Sequence, residues 1–163
     1  MRIILKNKET LVYDDFEFKC SIGKGGKSSK KIEGDKKTPK GFFSLGPLFF
    51  RKDRINNPTT KLKKIEIKKF MGWCDDTNNK NYNRLIKINH KIKHEKLYLK
   101  KSIYDLLIPI NYNTGRIKKN RGSAIFLHLT TNYKKTLGCI ALKKKDMLIL
   151  LKLINSRTKI QII

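Results

Sequence analysis

Two apolar runs near the C-terminal end constrain this chain more than anything else in it. Ser123-Ala-Ile-Phe-Leu-His128 reads as a hydrophobic strand that ends on a histidine. After a short polar loop, Thr136-Leu-Gly-Cys-Ile-Ala-Leu142 brings a glycine and then a cysteine. A strand that delivers an imidazole, and a second that begins at a thiol, is how a cysteine nucleophile and its base are commonly brought together. The rest of the chain is expected to build a β scaffold and a substrate groove around this pair.

The N-terminal part supports that expectation. Arg2 to Leu5 and Leu11 to Tyr13 read as two short strands separated by a turn at Asn7-Lys8-Glu9. Phe16, Phe18, Cys20 and Ile22 alternate with polar residues, the period of a half-buried strand, and Cys20 falls on its apolar set as a packing residue. Pro39 and Gly41 make a rigid turn before a strand that starts at Phe42, and Leu62, Ile65 and Ile67 suggest another extended piece. Ile103 to Tyr112 is apolar enough for a central strand, although Pro109 argues for an edge or a bulge. One helix is expected, where Met147, Leu150, Leu151 and Ile154 keep helical spacing and Asp146 suits its start. Thr158 to Ile163 closes the chain as a last strand. The fold class expected is mainly β, with residues 1–163 forming a single domain.

Three motifs invite other chemistry. Gly23-Lys-Gly-Gly-Lys-Ser28 resembles a phosphate loop, but the position five before Gly26 is Ser21 and no helical period follows, so the glycines are read as turn formers. His90 and His94 lie four apart with Glu95 outside the pair and Lys91, Lys93 and Lys96 around them, so neither a metal nor another cofactor is expected. Gly72-Trp73-Cys74-Asp75-Asp76 and the following Tyr82-Asn-Arg84 carry the one tryptophan. They either line a polar groove or form a loop with Trp73 as a core plug and an aspartate as a turn cap.

The charge of +26 needs comment. Only seven of the 39 basic residues are Arg, whereas readers of nucleic acid or phosphate place Arg at specific contacts. Lys spread everywhere among Asn and Ile fits a compositional bias, so no specific nucleic-acid partner is expected, although such a field still draws acidic substrates. No run approaches the ~20 apolar residues of a membrane span. Met1-Arg-Ile-Ile-Leu5 is too short for a secretory signal. Three widely spaced cysteines make neither a disulfide framework nor a zinc knuckle.

A thiol becomes a good nucleophile once ionised, and an adjacent imidazole takes its proton. Gly138 before Cys139 leaves room for a substrate carbonyl, and the backbone N–H groups of Gly138 and Cys139 could hold the developing oxyanion. Spacing alone also fits a buried histidine and a buried cysteine eleven positions apart.

His128 followed by Thr136-x-Gly138-Cys139-Ile140 resembles the signature of L,D-transpeptidase (YkuD-type) catalytic domains. Thr38-Pro39-x-Gly41-x-Phe43 after Gly34-Asp35 is similar to the upstream turn of the same family, and Gly72 to Asp76, Tyr82-Asn-Arg84, His94-Glu95 and Tyr104-Asp105 follow in order, as in a compact branch. The resemblance implies a β-sandwich-like catalytic fold acting on a peptidoglycan stem peptide as acyl donor. Cys139 would form a thioester with release of terminal D-alanine, His128 would act as base, and an amine or water would accept. The substrate-binding residues it suggests are Trp73, Asp75, Arg84, Tyr104 and Thr136. Many members carry an arginine two residues after the nucleophile; here that residue is Ala141. The resemblance also implies work in the cell envelope or periplasm, against which stands the missing signal peptide. L,D-carboxypeptidase activity on the same fold and, more distantly, a basic polyanion-binding module remain alternatives, and oligomeric state is open.

Overall fold

A computed structural model describes all residues, 1–163. Its strands in chain order are β1 (Arg2–Leu5), β2 (Thr10–Tyr13), β3 (Phe16–Ser21), β4 (Lys27–Ser28), β5 (Thr38–Pro39), β6 (Gly41–Ser44), β7 (Leu48–Phe50) and β8 (Lys64–Glu66). There follow β9 (Met71–Cys74), β10 (Leu85–Lys87), β11 (His94–Lys96), β12 (Leu106–Pro109), β13 (Phe126–Leu129), β14 (Ile140–Leu142) and β15 (Lys159–Ile162). The one α-helix, α1 (Lys144–Leu153), lies between the last two strands, and a single 3-10 turn covers Ser102–Tyr104. The molecule is mainly β, with the expected helix and final strand.

Ten strands form one curled sheet in the order β6-β15-β1-β2-β3-β14-β13-β12-β7-β8. β3 carries the corner: Phe16 to Lys19 pair with β2, while Cys20 and Ser21 pair with β14. The curl encloses a core of 26 buried apolar residues, closed by Met147, Leu150 and Leu151 of α1. The alternation read from sequence holds for Phe18 and Cys20, which are buried there; Phe16 instead stands 44% exposed at the strand's solvent end.

Three features of this sheet bear on the sequence reading. β13 and β14 are neighbours as expected, but they run parallel, with His128 opposite Ala141. The ten residues between them therefore carry the chain back to the starting edge rather than turning it as a hairpin. β12 lies inside the sheet despite Pro109. Its pairing with the 45–50 segment shifts by one residue between Leu107–Phe49 and Ile110–Leu45, so Pro109 falls at an irregularity of the ladder of the kind the sequence reading allowed. Finally, no helix follows Ser28: β4 pairs with β5, which ties the glycine-rich loop to the Thr38-Pro39 turn.

The other face of the β14-β13-β12-β7 portion packs a second, smaller cluster: Phe49, Ile67, Trp73, Leu97, Tyr104, Leu107, Phe126 and Cys139. Its cover is the separate sheet β10-β9-β11 and the 3-10 turn. Period-two alternation sorts the residues between faces. In β13, Leu127 and Leu129 enter the main core, while Phe126 belongs to the small cluster and His128 shares its face. No helix is long and apolar enough to cross a membrane.

Candidate active site

Cys139 immediately precedes β14 and lies level with the start of β13. The backbone N–H of Phe126 donates to its Sγ at 3.3 Å, and the thiol donates in turn to the Ala124 carbonyl at 3.3 Å. His128 stands two residues further along β13, on the same face. Its Nδ1 lies 2.9 Å from the carbonyl oxygen of Leu129. A carbonyl only accepts, so Nδ1 carries the proton and the neutral ring leaves Nε2 as a free acceptor.

Tyr104 closes the imidazole from the far side. Its ring meets His128 edge-on at 5.3 Å and Phe126 at 5.9 Å, and Trp73 meets Phe126 at 5.2 Å. These T-shaped contacts fix ring planes as well as bury area. The Tyr104 hydroxyl donates to Glu95 Oε1, and the turn that carries Tyr104 is pinned by Arg54, which donates to Asp105 at 2.9 Å and to the Lys100 carbonyl at 2.9 Å.

The loop before the thiol is bonded on all sides. The Thr136 hydroxyl donates to the Cys139 carbonyl at 2.6 Å and accepts from the Gly138 N–H at 3.1 Å. Thr38 donates to the Gly138 carbonyl at 2.9 Å and accepts from the Gly23 N–H at 3.0 Å. Gly138 has φ +137°, and a Cβ there would stand 2.9 Å from the Lys37 carbonyl, so both conformation and space require glycine. Of the two N–H groups expected to face an oxyanion, that of Gly138 is occupied by Thr136, while that of Cys139 makes no intramolecular hydrogen bond.

Both the Cys139 thiol and the His128 imidazole rest neutral. Burial, then the nearby charge of Glu95, pushes the Cys139 thiol up to about 12; the Phe126 N–H and Lys31 pull the other way. Burial lowers the His128 imidazole to about 4 against the raising effect of its bond to Leu129. Each is 7% exposed, so the surroundings are dry enough for these shifts. Glu95 itself is raised, first by burial, with Asp75 and Glu33 adding like charge.

The structure thus brings together Cys139, His128, Gly138, Thr136, Tyr104 and Trp73. Trp73 is a buried wall of the small cluster, and its Nε1 donates to Asn83 Oδ1 at 2.9 Å. Asp76 is the turn cap, accepting from the Asn78 N–H, whereas Asp75 keeps one carboxylate oxygen without a partner and its carboxyl is raised by burial. Arg84 is not part of the cluster: its side chain is exposed and makes no hydrogen bond or ion pair. Ala141, where an arginine was sought, is 1% exposed and flanked across the sheet by His128 and Ser21, whose hydroxyl also lacks a partner.

Sequence reasoning passed over Asn83. Buried and at φ +57°, it accepts from Trp73 and from the Ala124 N–H, and donates to the Tyr112 and Asn113 carbonyls. It thereby holds Ala124, whose carbonyl accepts the thiol's hydrogen bond. Its place between Tyr82 and Arg84 was the one signal. Glu33 was missed too: it accepts from Tyr82 and Ser123 at the entrance to β13.

The family profile described as YkuD, L,D-transpeptidase catalytic domain, matches residues 2–162. The chain belongs to the L,D-transpeptidase catalytic-domain family. Among solved structures it is similar to Bd1075 of Bdellovibrio bacteriovorus, with 16% identity and a TM-score of 0.53 over 99% of this chain. It spans 47% of that chain's length, and the likeness is one of fold. No curated protein matches the sequence.

Proposed function

We propose that this chain works as one catalytic unit, a cysteine acyltransferase on peptidoglycan stem peptides, with Cys139 as nucleophile and His128 as base. The observation that carries the reading is the local arrangement of Cys139. Its thiol is held between the Phe126 N–H and the Ala124 carbonyl, one strand away from an imidazole whose Nδ1 is committed to Leu129.

The steps follow from those groups. The thiol proton passes to Nε2 of His128 as Sγ bonds to the carbonyl carbon that precedes the terminal D-residue. The Cys139 N–H, without an intramolecular partner, is the donor available to the oxyanion. Collapse breaks the C–N bond; the imidazolium returns its proton to the leaving amine, and D-alanine departs, leaving a thioester. An incoming amine or water then loses its proton to His128, attacks the thioester carbon and regenerates the thiol. Transfer to an amine makes the enzyme an L,D-transpeptidase; transfer to water makes it an L,D-carboxypeptidase.

A neutral thiol–imidazole pair at rest fits a nucleophile that ionises as substrate arrives. Intact-protein mass spectrometry with a carbapenem, whose strained amide mimics the donor, should give one adduct that disappears in Cys139→Ala. An adduct that persists in that variant, or none with the parent protein, refutes the assignment. Incubating a stem peptide with and without an amine acceptor then separates transfer from hydrolysis. Work on the cell wall follows from the same reading.

A further inference from the structure

Lys31 is the one lysine of 32 that is withdrawn from solvent, with 4% of its side chain exposed. A long cationic side chain is seldom buried without a specific partner. Lys31 has two: its ammonium donates to Asp35 Oδ1 and to the Lys37 carbonyl, the latter at 2.7 Å. Asp35 in turn accepts from the N–H groups of Ile32 and Lys37, so the ion pair defines the shape of the turn that leads into Thr38.

What lies beyond that turn gives the pair its interest. The same Lys37 carbonyl stands 2.9 Å from where a Cβ of Gly138 would be, and Thr38 bonds the Gly138 carbonyl. The ammonium is thus one carbonyl group away from the residue preceding Cys139. On its other side Lys31 presses on Gly122, where φ is +98° and a Cβ would come within 2.6 Å of Lys31 Cε; Gly122 opens the segment through Ala124 whose carbonyl accepts the thiol's hydrogen bond.

We propose that Lys31 is a positioning residue for the nucleophile: clamped by Asp35, it holds the 34–39 turn against Gly138 and sets a fixed positive charge behind the thiol of Cys139. This rests on Cys139 being the reacting thiol. Other charged or titratable groups facing that thiol are Glu95 from β11, Tyr104 from the 3-10 turn and His128 from β13; those facing the ammonium are Asp35 and, across Gly122, the Tyr112 ring. Glu95 opposes the thiolate and Lys31 favours it.

The two partners of one ion pair allow a test by sign. Lys31→Met and Asp35→Asn both break the pair and disturb the same turn, but they change the charge behind the thiol in opposite directions. Alkylation of Cys139 by iodoacetamide, followed peptide by peptide by mass spectrometry across the alkaline range, reports its thiolate fraction. Lys31→Met is expected to slow labelling at a given pH by roughly three- to tenfold, and Asp35→Asn to speed it by a similar factor, the double variant lying between. Shifts in the same direction mean that the pair only shapes the turn and overturn the proposal. If Lys31→Met does not fold, Asp35→Asn decides alone: an unchanged or slower rate overturns it. A carbapenem adduct measured in parallel keeps the two readings apart. Its absence, with labelling still responsive to both substitutions, faults acyl transfer; its presence with unresponsive labelling faults Lys31.

Discussion

The two faces of the β14-β13-β12 region hold the same kind of residue to different ends. Cys20 is buried in the main core and Cys139 in the small cluster, and burial pushes both thiols up to about 12. Around Cys20 the neighbours are apolar side chains, and its sulfur makes no hydrogen bond. Around Cys139 a backbone N–H points at the sulfur, a carbonyl accepts the thiol's hydrogen bond, and an imidazole shares the face. Burial alone therefore does not distinguish a nucleophile from a packing residue. What distinguishes them is whether the polar groups that accompany the sulfur could serve its ionised form.

Several substitutions would break or sharpen that contrast. The largest effect is expected for Cys139→Ala, which should lower turnover of a stem peptide by on the order of a thousandfold or more while leaving the melting temperature near that of the parent. Cys20→Ala should do the opposite: near-normal turnover with a stability loss of about 1–2 kcal/mol from the cavity, read by urea unfolding. Equal losses of activity from the two would end the distinction between the faces. His128→Ala is next, with a loss of about 10²–10⁴ in acylation rate and retained circular dichroism. In the main core, Leu150→Ala should cost about 2–5 kcal/mol, since the leucine is fully buried under the curled sheet, with activity per folded molecule preserved.

The smallest expected effect is one of pH. His128 binds a proton near 6.5 when unfolded and at about 4 when folded, so between those values the unfolded chain holds more protons. Stability should therefore fall as pH drops from about 6.5 towards 4, by up to roughly 3 kcal/mol from this group. His128→Gln should flatten that part of the profile in chemical denaturation at several pH values. An identical slope in both proteins would mean that the imidazole is not buried as a neutral base.

Much of this was legible beforehand, for identifiable reasons. Alternation in Phe18 and Cys20, helical spacing at Met147, Leu150 and Leu151, and the apolar runs at Phe126 and Ile140 report burial directly, and burial decides those elements. The parallel order of β13 and β14 was not legible, because period two says which face a residue takes and nothing of strand direction. Cys139 and His128 could be singled out because the chain holds only three cysteines and three histidines, and Gly138 because it stands directly before one of those cysteines. Asn83 and Lys31 could not: the chain is crowded with asparagine and lysine, and what sets Asn83 apart is the distant 112–124 segment folded over it, while Lys31 is set apart by a turn that closes Asp35 and the Lys37 carbonyl on its ammonium. The expected oxyanion pair was half occupied for a similar reason, since Thr136 reaches Gly138 only once the loop has folded over it.

The parallel crossover has one more consequence. Register between β13 and β14 fixes the levels of Cys139 and His128, while Thr136 to Gly138 are anchored by bonds to Ile22, Lys24 and Thr38. The residues between, from Thr131 to Lys135, exposed apart from the half-buried Tyr133, lie outside that register and its anchors. Lengthening such a link is cheap, ~0.6 kcal/mol for each doubling. Loop and register are thus separable parts: the loop can be rebuilt by insertion while the register that aligns Cys139 with His128 stays as it is.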